Sequence, residues 1–346
     1  MFSKYNLVLS SNLKTGMVIA QPVISEKKHI LLKQGAIITE DTIKKLLSWG
    51  ISAVNVACPD PRPSVSPYLF SIYNETLNSI SSIFEKVRQC KEVPIAECQE
   101  LAEKYIEIII DTEGVLDALY RITTYHEYTF THSLHVAILA GLLGKWTGFS
   151  DAKRKDFILS GLLHDIGKAL VPRKILDKPG PLTADEMDII KLHSSQGYHL
   201  LSNCAEISEE AKLGVLQHHE REDGSGYPLG LKGKDISTCA KFVAIADIYD
   251  AMTTERVYRK KMLPFTAINI MLNQMGDTLD SATCLTLSIN LRKFLIGMRV
   301  LLSNGKQGTV VQMLNIATAR PIVRLDNGIF LDLDNDETIT VVAVLD

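Results

Sequence analysis

Imidazole and carboxylate recur together along one stretch of this 346-residue chain. Eight of its nine histidines fall between His126 and His219, and only His29 lies outside that window. Within it stand HSLH at 132–135, HDIGK at 164–168, His193 inside KLHSSQG, and HHEREDGSGYP at 218–228; Asp247 follows in AIADIYDAM. The His164-Asp165 pair comes directly after Gly161-Leu162-Leu163, and the His218-His219 pair soon after Val215-Leu216. In a helical domain such neighbours face the core, where an unpaired ionisable group costs on the order of several kcal/mol. A single histidine of this kind is most often a satisfied core or surface side chain, but five separated His/Asp positions form a pattern that a polynuclear metal site explains. The donor set mixes nitrogen and oxygen and contains no thiolate. It suits iron or manganese, with zinc and nickel as alternatives, and argues against a structural cysteine-zinc site.

The elements that must position these residues are helices. From about Tyr68 to Asn290 the apolar spacing is helical, with Leu101, Ala102, Tyr105, Ile106, Ile109 and Ile110 recurring at three and four and a T-x-x-E capping box at Thr183 and Glu186. Residues 1–57 read as a small α+β module, in which TEDTIKKLLSWG places Ile43, Leu46 and Leu47 on one helical face and Gly50 at its end. Residues 58–67, CPDPRPSVSP, hold four of the twelve prolines and read as a linker. Residues 291–346 read as a small β-rich module whose Asn304-Gly305 and Asn327-Gly328 pairs are hairpin signals. The expected fold is therefore mainly α: a helical domain over residues 68–290, flanked by the α+β and β modules.

Composition narrows the partners. The 37 basic and 40 acidic residues leave a net charge of -3, too little to hold a nucleic-acid polymer or an anionic bilayer, so any phosphate site is local. The apolar runs, such as VAILAGLLG at 136–144, fall short of a membrane span. No signal-peptide pattern opens the chain, and six scattered cysteines without a C-x-x-C pair point to a reducing compartment. A cytoplasmic protein is expected. The helical stretch 69–125 is apolar enough either to pack on the core or to form a dimer seam, and a homodimer or a signalling partner protein fits either use.

HDIGK, KPGPLT at 178–183, HHEREDGSGYP and DIYDAMTTERVYR at 247–259 together resemble the HD-GYP family of metal-dependent cyclic dinucleotide phosphodiesterases, a branch of the HD superfamily. The resemblance covers roughly residues 120–265 and implies an HD-type helical bundle. It implies metal ligands at His132, His164, Asp165, His193, His218, His219 and Asp247, with Asp165 bridging two cations. His132, His164 and Asp247 then complete one side, and His193, His218 and His219 the other. It further implies in-line attack by a hydroxide held between the metals on cyclic di-GMP, giving pGpG and then GMP, with Lys168 over the same phosphate. Tyr227 is implied to line the ligand pocket, and Arg256 and Arg259 to contact guanine or phosphate. Three-metal members carry a glutamate where this chain has Tyr128, so two metals are expected. His126, His135 and His199 match no ligand role.

Two further readings share these residues. One is a cyclic dinucleotide receptor without turnover, which intact HDIGK and DGSGYP motifs disfavour. The other is an HD-type hydrolase of a different nucleotide, including cyclic GMP-AMP, which differs only in the pocket and is separated by comparing substrates.

Overall fold

The computed structural model describes residues 5–10, 13, 15, 17, 19–25, 30–33, 36, 38–57, 66–121, 128–255 and 261–345. The chain forms two compact units, Met1–Ser64 and Val65–Leu345. In the first, strand β1 (Tyr5–Leu9) pairs antiparallel with β4 (Ala53–Ala57), and β2 (Val23–Ile24) with β3 (Ile30–Leu32). Helix α1 (Glu40–Ser48) starts where the Thr39 hydroxyl accepts the Thr42 N–H at 3.2 Å, and Gly50 follows its end with φ +72°. Leu46 is buried among Ile19, Ile38, Val54 and Val56, with Ile43 packed beside it. Leu47 is 52% exposed. It lies about 100° around the helix from Leu46, and the core face is narrower than the apolar pattern implies.

The second unit begins with α2 (Pro67–Cys90), followed by α3 (Ile95–Glu100), a π-helical turn, α4 (Glu107–Asp111) and α5 (Val115–Arg121). The apolar face of α2 packs into the bundle through Leu69, Tyr73, Leu77 and Ile80. The bundle continues with α6 (Tyr128–Trp146), α7 (Asp151–Leu163), α8 (Arg173–Leu176), α9 (Ala184–Lys191) and α10 (His193–Leu201). Then come α11 (Glu209–Gln217), α12 (Thr238–Thr253), α13 (Pro264–Gln274) and α14 (Ser281–Leu295). The capping box at the head of α9 is present: the Thr183 hydroxyl accepts the Glu186 N–H at 3.2 Å, and the Glu186 carboxylate accepts the Thr183 N–H at 2.8 Å.

Every residue of α6 from Phe130 to Gly144 is buried, the mark of a central helix. It separates two cores, sending Leu134, Ala137 and Ile138 into one and Val136, Leu139 and Leu143 into the other. The second core is shared with an antiparallel sheet of order β8-β7-β6-β5-β9: β5 (Arg299–Leu302), β6 (Gln307–Gln312), β7 (Ile322–Leu325), β8 (Phe330–Asp332) and β9 (Val341–Leu345). Asn304-Gly305 turns β5 into β6 and Asn327-Gly328 turns β7 into β8, with the glycines at φ +79° and +86°. No described helix is long and apolar enough to cross a membrane.

Candidate metal centre

Three of the histidines stand at or just past helix C-termini, where the last carbonyls have no partner within the helix. His164 follows α7, His193 follows α9 and His218 follows α11. The Nδ1 of each hydrogen-bonds a carbonyl three residues back: Gly161 at 2.8 Å, Ile190 at 2.7 Å and Val215 at 2.8 Å. A carbonyl only accepts, so each Nδ1 carries the proton and each Nε2 is left with a lone pair. The His193 and His218 Nε2 atoms lie 3.2 Å apart. Two lone pairs at that distance repel unless a cation sits between them. The His164 Nε2 and the Asp165 Oδ1 are buried with no hydrogen-bond partner among the described residues. These are donor atoms without protons to share, which is what a metal ion requires, and residues of this chemistry fit one.

Asp165 stands among them. Its Oδ1 lies 3.3 Å from the His193 Nε2, and its Oδ2 3.3 Å from the His164 Nε2 and 3.9 Å from the His132 Nε2. The turn that presents it is a 3-10 segment, Ile166–Leu170. A Cβ on Gly167 would collide with the His193 carbonyl oxygen, so only glycine lets this turn press against the start of α10 and hold Asp165 opposite His193. Lys168, one turn on, donates to the Asp165 Oδ2 at 2.6 Å.

His132 is different in kind. It lies within α6, where the backbone carbonyls are used by the helix, and its Nδ1 instead bonds the Asp250 Oδ2 at 2.6 Å while its Nε2 meets the Asp247 Oδ1 at 3.0 Å. Both carboxylates come from α12, one turn apart. Asp250 also bonds His135 at 2.7 Å and accepts from the Thr254 hydroxyl at 2.8 Å. His135 in turn bonds the Tyr73 hydroxyl at 2.6 Å.

The donor atoms of His132, His164 and Asp247 lie within 4.8 Å of one another, as do those of His193, His218 and His219, and those of His164, Asp165 and His218. All seven residues singled out as ligands in the sequence are thus brought together. Burial pushes His193 down to about 4 and His219 to about 3, and burial likewise holds His218 well below its usual range, so all three are neutral at pH 7. Burial works against the charged form of His132 too, but its bonds to Asp247 and Asp250 carry it up to about 9. Burial raises the carboxyls, yet the Lys168 ammonium holds Asp165, and His132 holds Asp247, well below the carboxylate range.

Tyr227 lies beside this cluster, its ring 4.6 Å from that of His219 and within 5.8 Å of the Lys191 ammonium. The loop is held by Glu220, whose carboxylate accepts the N–H groups of Leu229 at 2.7 Å and Leu231 at 3.0 Å. A Cβ on Gly226 would collide with the His219 carbonyl, so glycine is required for the loop to lie so close. Tyr128 stacks on His132 at 5.2 Å with 15° between the ring planes. Arg256 and Arg259 lie outside the described residues, as do His126 and Glu127. Sequence reading missed Asp250 and Tyr73 and set His135 aside. The second aspartate of DIYDAM, three residues after Asp247, was the available signal; nothing in the sequence pointed to Tyr73.

The helical bundle thus gathers a buried His/Asp cluster whose donor atoms could hold metal ions. The family model described as HD domain matches residues 107–283, just over half of the chain, and the chain belongs to that family, as the resemblance of its motifs implied. It is 32% identical over 247 residues to a cyclic di-GMP phosphodiesterase of Pseudomonas aeruginosa, covering 71% of this chain and 59% of that protein. It is 39% identical over 143 residues to the cyclic di-GMP phosphodiesterase response regulator RpfG of Xanthomonas campestris, covering 41% and 38%. A 3'3'-cGAMP-specific phosphodiesterase of Vibrio cholerae is 40% identical over 189 residues, covering 54% and 42%. The chain therefore spans less than two thirds of the length of each of these relatives. The solved structure of an HDG"Y"P protein from Bdellovibrio bacteriovorus shares the fold, with a TM-score of 0.55 at 18% identity over 83% of this chain and 99% of that one.

Proposed function

We propose that the protein is a metal-dependent phosphodiesterase that hydrolyses cyclic di-GMP to linear pGpG, with or without a second cleavage to GMP. The observation that carries this reading is the meeting of unprotonated Nε2 atoms from His164, His193 and His218 around the Asp165 carboxylate. We assign His132, His164 and Asp247 to one divalent cation and His193, His218 and His219 to a second, with Asp165 between them. Iron or manganese suits this donor set. Tyr128, an aromatic ring on His132 where three-metal relatives carry a carboxylate, favours two ions. Bound there, the cations supply Lewis acidity toward phosphoryl oxygens and lower the pKa of water from about 15.7 to about 7.

The chain's own groups orient and balance this charge. Asp165 stays ionised, Lys168 offsets part of its charge at 2.6 Å and is assigned to the phosphate, and Tyr227 offers a ring face to a purine. Arg256 and Arg259 supply planar forks for a guanine edge or a phosphate. We assign the catalytic role to residues 68–290, with 1–57 and 291–346 as flanking modules joined through 58–67, and place the enzyme in the cytoplasm.

The 40% identity to a relative named for 3'3'-cGAMP supports a second reading, the same chemistry on cyclic GMP-AMP. Reduced, manganese- or iron-loaded protein incubated with each cyclic dinucleotide separates them. Linear product from cyclic di-GMP, absent in Asp165→Ala, is expected. Faster turnover of cyclic GMP-AMP selects the second reading, and tight binding of either ligand to fully loaded protein without any product rejects both in favour of a receptor.

A further inference from the structure

Of the histidines assigned to metals, His164, His193 and His218 are oriented locally, each by a carbonyl at the end of its own or the preceding helix. His132 has no such carbonyl, because it stands inside α6. Its ring is set by Asp250 from α12, 118 residues away in sequence. Asp250 spans two imidazoles, with Oδ2 on His132 at 2.6 Å and Oδ1 on His135 at 2.7 Å. An ionised carboxylate only accepts, so both rings carry their proton on Nδ1. The His132 Nε2 donates to the ionised Asp247 carboxylate at 3.0 Å, a proton that a bound metal would replace, and the His135 Nε2 shares a hydrogen bond with the Tyr73 hydroxyl at 2.6 Å. Tyr73, His135, Asp250 and His132 are all buried, at 1%, 4%, 3% and 2% exposure. Tyr73 belongs to α2, ahead of the residues that match the HD domain model.

We propose that Tyr73 and His135 are positioning residues for the metal centre, which through Asp250 fix the orientation and tautomer of His132 and so make α2 part of the site. This rests on the assignment of His132 as a metal ligand under Proposed function. Losing the His135 donor leaves the Asp250 Oδ1 with Thr254 alone and frees the carboxylate to turn. Losing the Tyr73 hydroxyl frees the His135 ring. Partners of this kind, one bond behind a ligand, commonly change metal affinity by about 10–100-fold.

The test is a titration of metal-free full-length protein with Mn²⁺ against a chromophoric chelator, alongside its melting temperature without metal. His135→Leu is expected to weaken one of two Mn²⁺ sites by about 10–100-fold and leave the other unchanged. His135→Asn, whose amide can still donate to Asp250, is expected to recover most of that loss. Tyr73→Phe, which removes a single oxygen, is expected to fall between wild type and His135→Leu. Wild-type affinity at both sites in His135→Leu and Tyr73→Phe, with only a lower melting temperature, would show packing residues and overturn the proposal. Equal weakening by His135→Asn and His135→Leu overturns it as well. A wild-type chain that takes up no Mn²⁺ overturns the ligand assignment itself, and the positioning role with it.

Discussion

His193 and His218 present the sharpest physical constraint in the molecule: two imidazole lone pairs 3.2 Å apart, each forced inward by a proton committed to a backbone carbonyl. Asp165 adds an ionised carboxylate at the same point, and its removal leaves those nitrogens with nothing to share. Asp165→Ala is accordingly expected to lower turnover of cyclic di-GMP by about three orders of magnitude or more, since metal sites contribute several kcal/mol of charge stabilisation; initial rates at saturating manganese measure it. The same residues set the stability of the metal-free protein against pH. His193 and His219 titrate near 4 and 3 when folded against an ordinary 6.5, so between those values the unfolded chain binds protons that the folded chain does not, and stability falls as pH drops below about 6.5. His132 runs the other way. Its folded value near 9 means its contribution is complete below 6.5 and lost as pH rises toward 9. Melting temperatures of metal-free protein are therefore expected to peak near pH 6.5. Because a bound metal takes the place of the His132 proton, the alkaline fall from that group should vanish in loaded protein.

At the scale of elements, the site is a meeting of helix ends on one central helix. Much of this was legible beforehand: the HDIGK and HHEREDGSGYP clusters sit where apolar helices stop, and a stopped helix offers free carbonyls to orient a histidine. What spacing could not reveal was who stands behind His132. Its partner Asp250 is on α12 and the next, Tyr73, on α2, and periodicity shows which face a residue shares but not which distant helix packs there. His135 was set aside for that reason, as a residue three positions from a ligand with no family role. Leu47 failed in the opposite sense, fitting an apolar face that the packed core does not reach. The turn carrying Asp165 depends on one missing side chain. Gly167→Ala must push its Cβ into the His193 carbonyl, and overpacking of this sort costs about 1–3 kcal/mol. Urea unfolding should show that loss, together with weaker metal retention, whereas an unchanged midpoint would mean the turn can shift away from α10.

At the scale of the whole molecule, the near-neutral charge and the buried cluster agree. A chain with net charge -3 has no field for a polymer, which fits the small dianion proposed as its substrate. The central helix α6 carries His132 and divides two cores, one reaching back to α2 and the other continuing into the C-terminal sheet. Elements at both ends of the second unit are thus packed against the helix that carries the proposed ligand His132. We propose that the seven His and Asp side chains gathered here hold two iron or manganese cations. Elemental analysis of protein purified without oxygen tests it most directly. The expected result is about two iron or manganese ions per wild-type chain, with a clear loss in Asp165→Ala. Metal-free wild-type protein that cannot be reconstituted, or a stoichiometry unaffected by Asp165→Ala, would contradict it.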